Sequence, residues 1–198
     1  MKAIRFTLLM IVVTWLASRP FVPISHEPGV LISQEPRQAT PQADESPIRH
    51  GEWMLKPLAE YEVHARVLAT TRYRFDAVSE LSPNDLILGW GPMSDSAVLD
   101  KISFSQSRRF GYWSFDRDCP LPESEISRHA ANTHIIPAND QVRERIASLR
   151  VGSLVRLQGK LVEAIHPDGG KPWRSSLKRT DRGAGACEII YVKSMREL

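Results

Sequence analysis

The sequence predicts a mainly β domain with one or two helices, an α+β arrangement in which the strands close into a small barrel. Three observations support this fold class. Residues 61–73 alternate apolar and polar side chains, residues 139–149 carry an amphipathic helix, and residues 151–165 form a strand with a glycine at its bend. The folded part is expected to occupy residues 58–198 as a single domain, which is long enough for one hydrophobic core.

The first strand is predicted from YEVHARVLATTRY, residues 61–73. Val63 and Val67 fall on one face of this segment, whereas Glu62 and His64 fall on the other. Because side chains alternate between the two faces of a strand, this pattern indicates a half-buried strand.

The next two segments are richer in turn-forming residues. Residues 82–85 predict a turn or a helix start before the apolar run 86–88, and the glycines around Trp90 end that run. Residues 102–115 predict a hairpin or a bent strand about Gly111. We expect most of the aromatic side chains of this hairpin to lie in the core.

The best-defined helix follows the segment 129–138, which is expected to be an irregular loop. Asn139 is a good N-cap, Asp140 suits the positive end of the helix, and the apolar stripe includes Val142 and Ile146. Gly152 is expected to end the helix. The remaining strands are predicted at residues 151–165, bent at Gly159, and at residues 173–177 and 186–192.

A helix between two groups of strands, followed by a glycine-bent strand, resembles the small Greek-key barrel called the OB-fold. The resemblance covers residues 61–192. Four phrases also resemble an uncharacterised family of bacterial exported proteins: PNDLILGWGPMSD, HAANTHIIPAND, VGSLVRLQGKLVEA and WRSSLKRTDRGAGACEIIYV. This second resemblance implies export and a single domain, and it implies no activity.

Residues 1–19 have the layout of an export signal. Lys2 and Arg5 precede an apolar run that extends from Phe6 to Ala17. The run is shorter than the roughly 20 residues of a membrane-spanning helix. Arg19 and Pro20 make a poor processing site, so the segment is expected to be either a cleaved signal peptide or a retained anchor in the inner membrane. A buried N-terminal helix of a cytosolic protein is the alternative.

Residues 20–57 contain seven of the 14 prolines of the chain, interleaved with Gln, Ser, Glu and Thr. Such a composition buries too little apolar surface to offset the entropy of ordering, so the segment is predicted to be a disordered linker. The expected location is therefore periplasmic or otherwise extracytoplasmic.

The net charge gives no support for nucleic-acid binding. The chain has 26 basic and 23 acidic residues, but Lys2, Arg5 and Arg19 precede the first acidic residue. Removing the signal leaves 23 basic and 23 acidic side chains. Any basic site must therefore be local, and we expect no nucleic-acid partner.

Cys119 and Cys187 are the two cysteines of the chain. In an exported protein such a pair favours a disulfide. Two alternatives stay open for Cys187, which follows a Gly-x-Gly turn: a catalytic nucleophile or an inert core thiol. No helix follows it, so no helix terminus would activate the thiol.

His129 and His134 are five residues apart, which is not the spacing of a helical metal pair. We therefore predict no metal site and no cofactor. His134 is expected to be a buried structural residue. If the protein is an enzyme, His134 and Asp140, or Cys187, are the candidate catalytic groups.

The candidate ligand-binding surface is the loop that precedes Cys187. It carries several basic side chains with few acidic ones, and its glycines could expose backbone N–H groups to an anion. A solvated hairpin tip is the alternative. Two tryptophans flank turns and could stack on a ligand, although Trp90 could equally fill the end of the barrel. The candidate residues are Arg174, Lys178, Arg179, Arg182, Trp90 and Trp173.

The function expected from these features is that of a non-enzymatic accessory module of the bacterial envelope. Its ligand would be an anionic envelope protein or a cell-wall glycan, bound by the basic loop. The alternative is an exported hydrolase that uses His134 and Asp140 or Cys187.

Overall fold

The computed structural model describes residues 22–42, 45–179, 181, 183 and 185–198. The predicted signal segment, residues 1–19, lies outside this range. The strands are β1 (Arg37–Ala39), β2 (Ile48–His50), β3 (Trp53–Arg72), β4 (Asn84–Gly89), β5 (Ile102–Ser107), β6 (Phe110–Phe115), β7 (Ala130–Pro137), β8 (Leu154–Ile165), β9 (Trp173–Arg174) and β10 (Glu188–Glu197). The helices are a 3-10 turn (Gly91–Ser94), α1 (Ser96–Leu99), α2 (Glu123–Arg128) and α3 (Asp140–Ala147).

Five of the strands form a closed barrel. The order around it is β3, β4, β7, β10 and β8, and β8 pairs again with β3. Every neighbouring pair is antiparallel except β7 and β10, which run parallel. Numbered along the barrel alone, the strand order is 1-2-3-5-4-1, with a helix between the third and fourth strands. This confirms the predicted α+β fold, a small OB-like Greek-key barrel.

Closure depends on strands that bend. β3 is 20 residues long, and its pairings with β4 and β8 both contain a register shift. Gly159, in β8, lies so close to β10 that an added Cβ would meet the carbonyl oxygen of Tyr191. Glycine is therefore required where the two backbones approach one another, as the predicted bend implied.

α3 covers one end of the barrel interior. It begins after Asn139, whose side-chain oxygen accepts a hydrogen bond of 3.0 Å from the backbone N–H of Val142. Val142 and Ile146 are buried in the same cluster as the inward-facing barrel residues. The N-cap and the apolar stripe are confirmed, but the helix ends at Ala147 with Ser148 as its C-cap, before Gly152.

Two local predictions are wrong. The segment expected to be a loop around His134 is β7, a central strand of the barrel. The hairpin of β5 and β6 turns at Arg108 and Arg109, which have positive φ angles of 50° and 72°, rather than at Gly111. Among its aromatic residues, three are exposed by 41 to 53 %: Phe110, Tyr112 and Phe115.

The segment expected to be a free linker instead lies along the domain. β1 and β2 both pair with β3. Ile32 is buried in the interior cluster, and its backbone N–H donates to Ser94 Oγ at 3.0 Å. Glu45 pairs with the buried Lys160 at 2.5 Å. Backbone pairing and a few buried contacts therefore hold a segment whose average composition predicts disorder.

The outer surface of the barrel carries two further apolar clusters. One contains Ile87 and lies under the β5–β6 hairpin and α2. The other contains Leu81, Ile136 and Ile189, with Trp173 packed against it. The candidate site lies between these clusters.

Candidate functional site

A group of polar side chains lies on the outer face of β4, β7 and β10. Asp85 of β4 is directly opposite His134 of β7, and His134 is in turn opposite Ile189 of β10. Asn132 precedes His134 by two residues and so points to the same face. Cys187 directly precedes β10 and lies two residues before Ile189. The strand register therefore brings a carboxylate, an imidazole and a thiol together.

His134 and Asp85 form a buried ion pair. His134 Nδ1 lies 2.9 Å from Asp85 Oδ1, and the two side chains are 4 % and 0 % exposed. The two groups are close in distance, but Nδ1 is not aligned for a linear hydrogen bond. Burial opposes the imidazolium, yet contact with Asp85 and with Cys187 outweighs it and raises the pKa of His134 to about 9. The imidazole is therefore protonated at neutral pH.

Cys187 completes the row on the other side of the imidazole. Cys187 interacts with His134 and contributes to its raised pKa. Asn132 Nδ2 donates to Sγ at 3.4 Å and to the Arg109 carbonyl at 3.0 Å. Gln106 in turn donates to Asn132 Oδ1 at 2.8 Å, which fixes the orientation of the amide. The thiol is half-buried and lines two cavities.

Arg109, at the tip of the β5–β6 hairpin, is a second partner of Asp85. Its Nη1 lies 2.9 Å from Asp85 Oδ1, and its guanidinium also pairs with Asp76 at 2.7 Å. The guanidinium carbon lies 3.8 Å from the centre of the Tyr73 ring. Arg109 and His134 thus both contact the buried Asp85 carboxylate. Their positive charges compensate the negative charge of the carboxylate and fix its position.

The largest cavity at the site has a volume of about 680 Å³. His134, Cys187 and Arg109 line it, together with residues of the loop between β8 and β10. The Trp173 ring lies 4.7 Å from the His134 ring at an interplanar angle of 44°. The tryptophan therefore covers the imidazole and limits its contact with water.

The position of this cavity agrees with the general use of the fold. Ligands of OB barrels bind over the second and third strands, between the loop joining the first two strands and the loop joining the last two. Here those strands are β4 and β7, and the two loops are residues 73–83 and 166–187. Asp85 and His134 are on these strands, whereas Trp173 and Cys187 belong to the second loop.

The predicted basic loop is less available than its composition indicates. Arg174 pairs with Glu163 at 2.5 Å. Arg179 Nη2 donates to the carbonyl of Pro36 at 2.6 Å, and Nη1 lies 3.6 Å from Glu35. These guanidinium groups bind the domain and its N-terminal segment. The backbone N–H of Lys178 donates to Ser176 Oγ at 3.0 Å, and Arg182 lies outside the described residues.

The tryptophans have separate roles. Trp90 is 1 % exposed and belongs to the interior cluster, so its ring does not form the exposed stacking surface considered from the sequence. Trp173 does lie beside the cavity.

Asp140 is not the carboxylate partner of His134. Its side chain is 96 % exposed and lies 3.7 Å from Arg143. His129 Nδ1 lies 2.9 Å from the carbonyl oxygen of Glu125. Within the described ranges, no group of three His, Cys, Asp or Glu residues is placed to hold a metal ion. No helix formed by those residues is long and apolar enough to cross a membrane.

The predicted Cys119–Cys187 disulfide is wrong, because both cysteines are free thiols. Cys119 packs against the apolar cluster under the β5–β6 hairpin, whereas Cys187 belongs to the polar group around His134. Two cysteines in an exported chain permit a bridge but do not bring their Cβ atoms together.

Three members of the site are not predicted from the sequence: Asp85, Asn132 and Arg109. A signal exists for Asn132, since Asn132 and His134 are two residues apart and would share one face of a strand. No sequence signal gives the register that places Asp85 opposite His134.

Comparisons with family models, with curated proteins and with solved structures give no match.

Proposed function

We propose that the protein is an exported thiol-dependent hydrolase of acyl compounds, with Cys187 as nucleophile, His134 as general acid and base, and Asp85 as the carboxylate that holds His134. One observation carries this proposal: His134 interacts with both Cys187 and Asp85, and His134 and Cys187 line a cavity of about 680 Å³. A nucleophile, a base and a group that orients the base are the parts that covalent acyl transfer requires.

The charge state of His134 suits this chemistry. Its pKa of about 9 leaves an imidazolium beside the sulfur at neutral pH. A neighbouring imidazolium stabilises a thiolate, which is the nucleophilic form of cysteine. Asp85 makes this possible, because a buried imidazole without a carboxylate partner would lose its proton.

In the first step the Cys187 thiolate attacks the carbonyl carbon of an ester, thioester or amide. A carbon–sulfur bond forms, and the bond from that carbon to the leaving group breaks. The His134 imidazolium gives its proton to the leaving group, which departs as a neutral alcohol, thiol or amine. Asn132 Nδ2, at 3.4 Å from Sγ, is the candidate donor to the developing oxyanion.

In the second step water attacks the thioester carbon. The neutral His134 imidazole takes a proton from that water, a carbon–oxygen bond forms, and the carbon–sulfur bond breaks. The products are a carboxylic acid, the Cys187 thiolate and the His134 imidazolium, so the starting state is restored. Trp173 limits the access of other water to the imidazole.

The location outside the cytoplasm is supported by the signal-like residues 1–19 and by the resemblance to exported proteins. The accessory-module hypothesis is less favoured, because it assigned ligand binding to Arg174 and Arg179. These side chains are engaged by Glu163 and by Glu35 with Pro36, respectively.

The test is hydrolysis of 4-nitrophenyl acetate and of an acetyl thioester by the full chain. Cys187→Ala is expected to lower the rate to the uncatalysed background. His134→Gln should reduce kcat about 100-fold or more, the usual contribution of a general acid and base. Cys119→Ala is the matched control, since it removes the other thiol, and its rate should equal that of the wild type.

Thermal unfolding of each variant separates loss of chemistry from loss of fold. Activity in folded Cys187→Ala equal to that of the wild type would overturn the proposal. So would a wild-type rate no higher than that of Cys187→Ala for both substrates.

A further inference from the structure

A second cavity, of about 350 Å³, lies on the other side of Cys187 from Trp173. We call it the hairpin cavity. One wall is formed by the aromatic side chains of β6, and the small Ala130 and Ala131 leave room beside the start of β7. The surface that lines it is mostly apolar. The aromatic residues of that wall are Phe110, Tyr112 and Trp113.

Among the described residues, three that line the hairpin cavity carry a buried polar atom without a hydrogen-bond partner. These atoms are Trp90 Nε1, Arg179 Nε and Glu188 Oε2. Trp90 is 1 % exposed and Glu188 is 5 % exposed. Buried polar atoms are almost always paired, because an unpaired one retains the full cost of losing its water. Three unpaired polar atoms at one cavity indicate that a bound molecule supplies their hydrogen-bond partners.

These three atoms differ in whether they donate or accept a hydrogen bond. Trp90 Nε1 and Arg179 Nε are N–H donors with no lone pair to offer. Glu188 Oε2 is a carboxyl oxygen. Burial raises the pKa of Glu188 to about 7, while the positive charges of Arg179 and His134 limit the rise and Asp181 adds to it. At and above neutral pH the cavity therefore presents two donors and one acceptor.

We propose that the hairpin cavity binds the amide group of a small neutral ligand, an N-acyl or carboxamide group carried on a flat apolar body. The amide oxygen has two lone pairs for the Trp90 and Arg179 donors, and the amide N–H donates to Glu188. The apolar body packs along the aromatic wall of β6. A carboxylate ligand lacks the N–H that would donate to Glu188, and an alcohol offers a single oxygen for both roles.

Cys187 lines the hairpin cavity as well as the cavity beside Trp173. A bound amide would thus lie next to the thiol. The binding proposal does not depend on the chemistry at Cys187, because binding is measured without turnover and in Cys187→Ala.

The experiment is calorimetric titration of the full chain with benzamide. The probe carries one carboxamide on one ring, a size that suits the cavity. We expect saturable binding at one site in the wild type and in Cys187→Ala. Benzoate and benzyl alcohol should bind about tenfold more weakly or not at all, because each loses at least one hydrogen bond.

Trp90→Phe keeps a six-membered aromatic ring in the core but removes the pyrrole ring together with its N–H, and it should weaken benzamide binding about fivefold to tenfold. Trp53→Phe is the matched control, since Trp53 packs against the other outer cluster, and its affinity should be unchanged. Glu188→Gln retains an acceptor oxygen and should retain binding, whereas Glu188→Leu should abolish it.

Three outcomes would overturn the inference. The first is the absence of saturable benzamide binding, which would leave the cavity to water. The second is equal affinity in Trp90→Phe and the wild type. The third is benzoate or benzyl alcohol binding as tightly as benzamide, which would exclude the amide class. None of these outcomes bears on ester hydrolysis by Cys187.

Discussion

His134 Nδ1 and Asp85 Oδ1 lie 2.9 Å apart across the pairing of β7 and β4, and both side chains are almost entirely buried. The pair is placed by strand register, because residues that face one another in an antiparallel pair have adjacent side chains. Its chemical effect is to keep a buried imidazole protonated beside Cys187. The proposed nucleophile therefore depends on a carboxylate that it does not touch directly.

Asp85→Asn should lower the pKa of His134. The pKa is raised to about 9 in the wild type, and without the carboxylate only Cys187 opposes the lowering effect of burial. The ring resonances of His134, followed by NMR from pH 5 to pH 10, measure this change directly. A His134 midpoint that stays near 9 in Asp85→Asn would mean that Asp85 is not the cause of the shift.

Stability should fall as the pH rises from mildly acidic values to pH 9. Two of the described groups titrate in this interval with a folded pKa above their ordinary value: Glu188, raised from 4.5 to about 7, and His134, raised from 6.5 to about 9. Each therefore stabilises the fold fully below its ordinary pKa and loses that contribution as the pH passes its folded pKa. Because one pKa unit corresponds to about 1.36 kcal/mol, each group loses stabilisation on the order of 3 kcal/mol.

Urea unfolding at several pH values measures this dependence. Glu188→Gln should reduce the loss of unfolding free energy between about pH 4.5 and pH 7. His134→Gln should reduce the loss between about pH 6.5 and pH 9. If the unfolding free energy of Glu188→Gln falls as steeply as that of the wild type between about pH 4.5 and pH 7, Glu188 is not the group responsible.

Arg109→Ala should destabilise the fold by about 3 kcal/mol. It leaves the fully buried Asp85 with one cationic partner and removes the contacts to Asp76 and Tyr73. Arg108→Ala is a matched control, because Arg108 also has a positive φ but is exposed. Its effect should be within about 0.5 kcal/mol. Similar losses in the two variants, measured by urea unfolding, would assign the effect to the hairpin backbone.

The barrel itself could be predicted from the sequence, because its signals are local. The alternation of Val63 and Val67, the N-cap Asn139 and the bend at Gly159 each occupy a few neighbouring residues. Each depends on the period of a strand or helix or on a backbone conformation, and all three agree with the same topology.

The site could be predicted only in part. The sequence predicts His134 and Cys187 as candidate chemical groups, but it pairs His134 with Asp140, which is near in sequence. Asp85 is far away in sequence and is brought in by the pairing of β4 with β7. Register of this kind is set by tertiary packing, which no short stretch of sequence contains. The same reason explains the unformed disulfide and the buried position of Trp90.

The most direct test of the thiol centre is the rate at which Cys187 reacts with methyl methanethiosulfonate at pH 6.5. The reaction is followed by mass spectrometry in a Cys119→Ser background, with and without His134→Gln. We predict that Cys187 reacts at least about tenfold faster with His134 than without it, because an imidazolium beside a sulfur favours the thiolate. Equal rates in the two proteins, both folded, would contradict it.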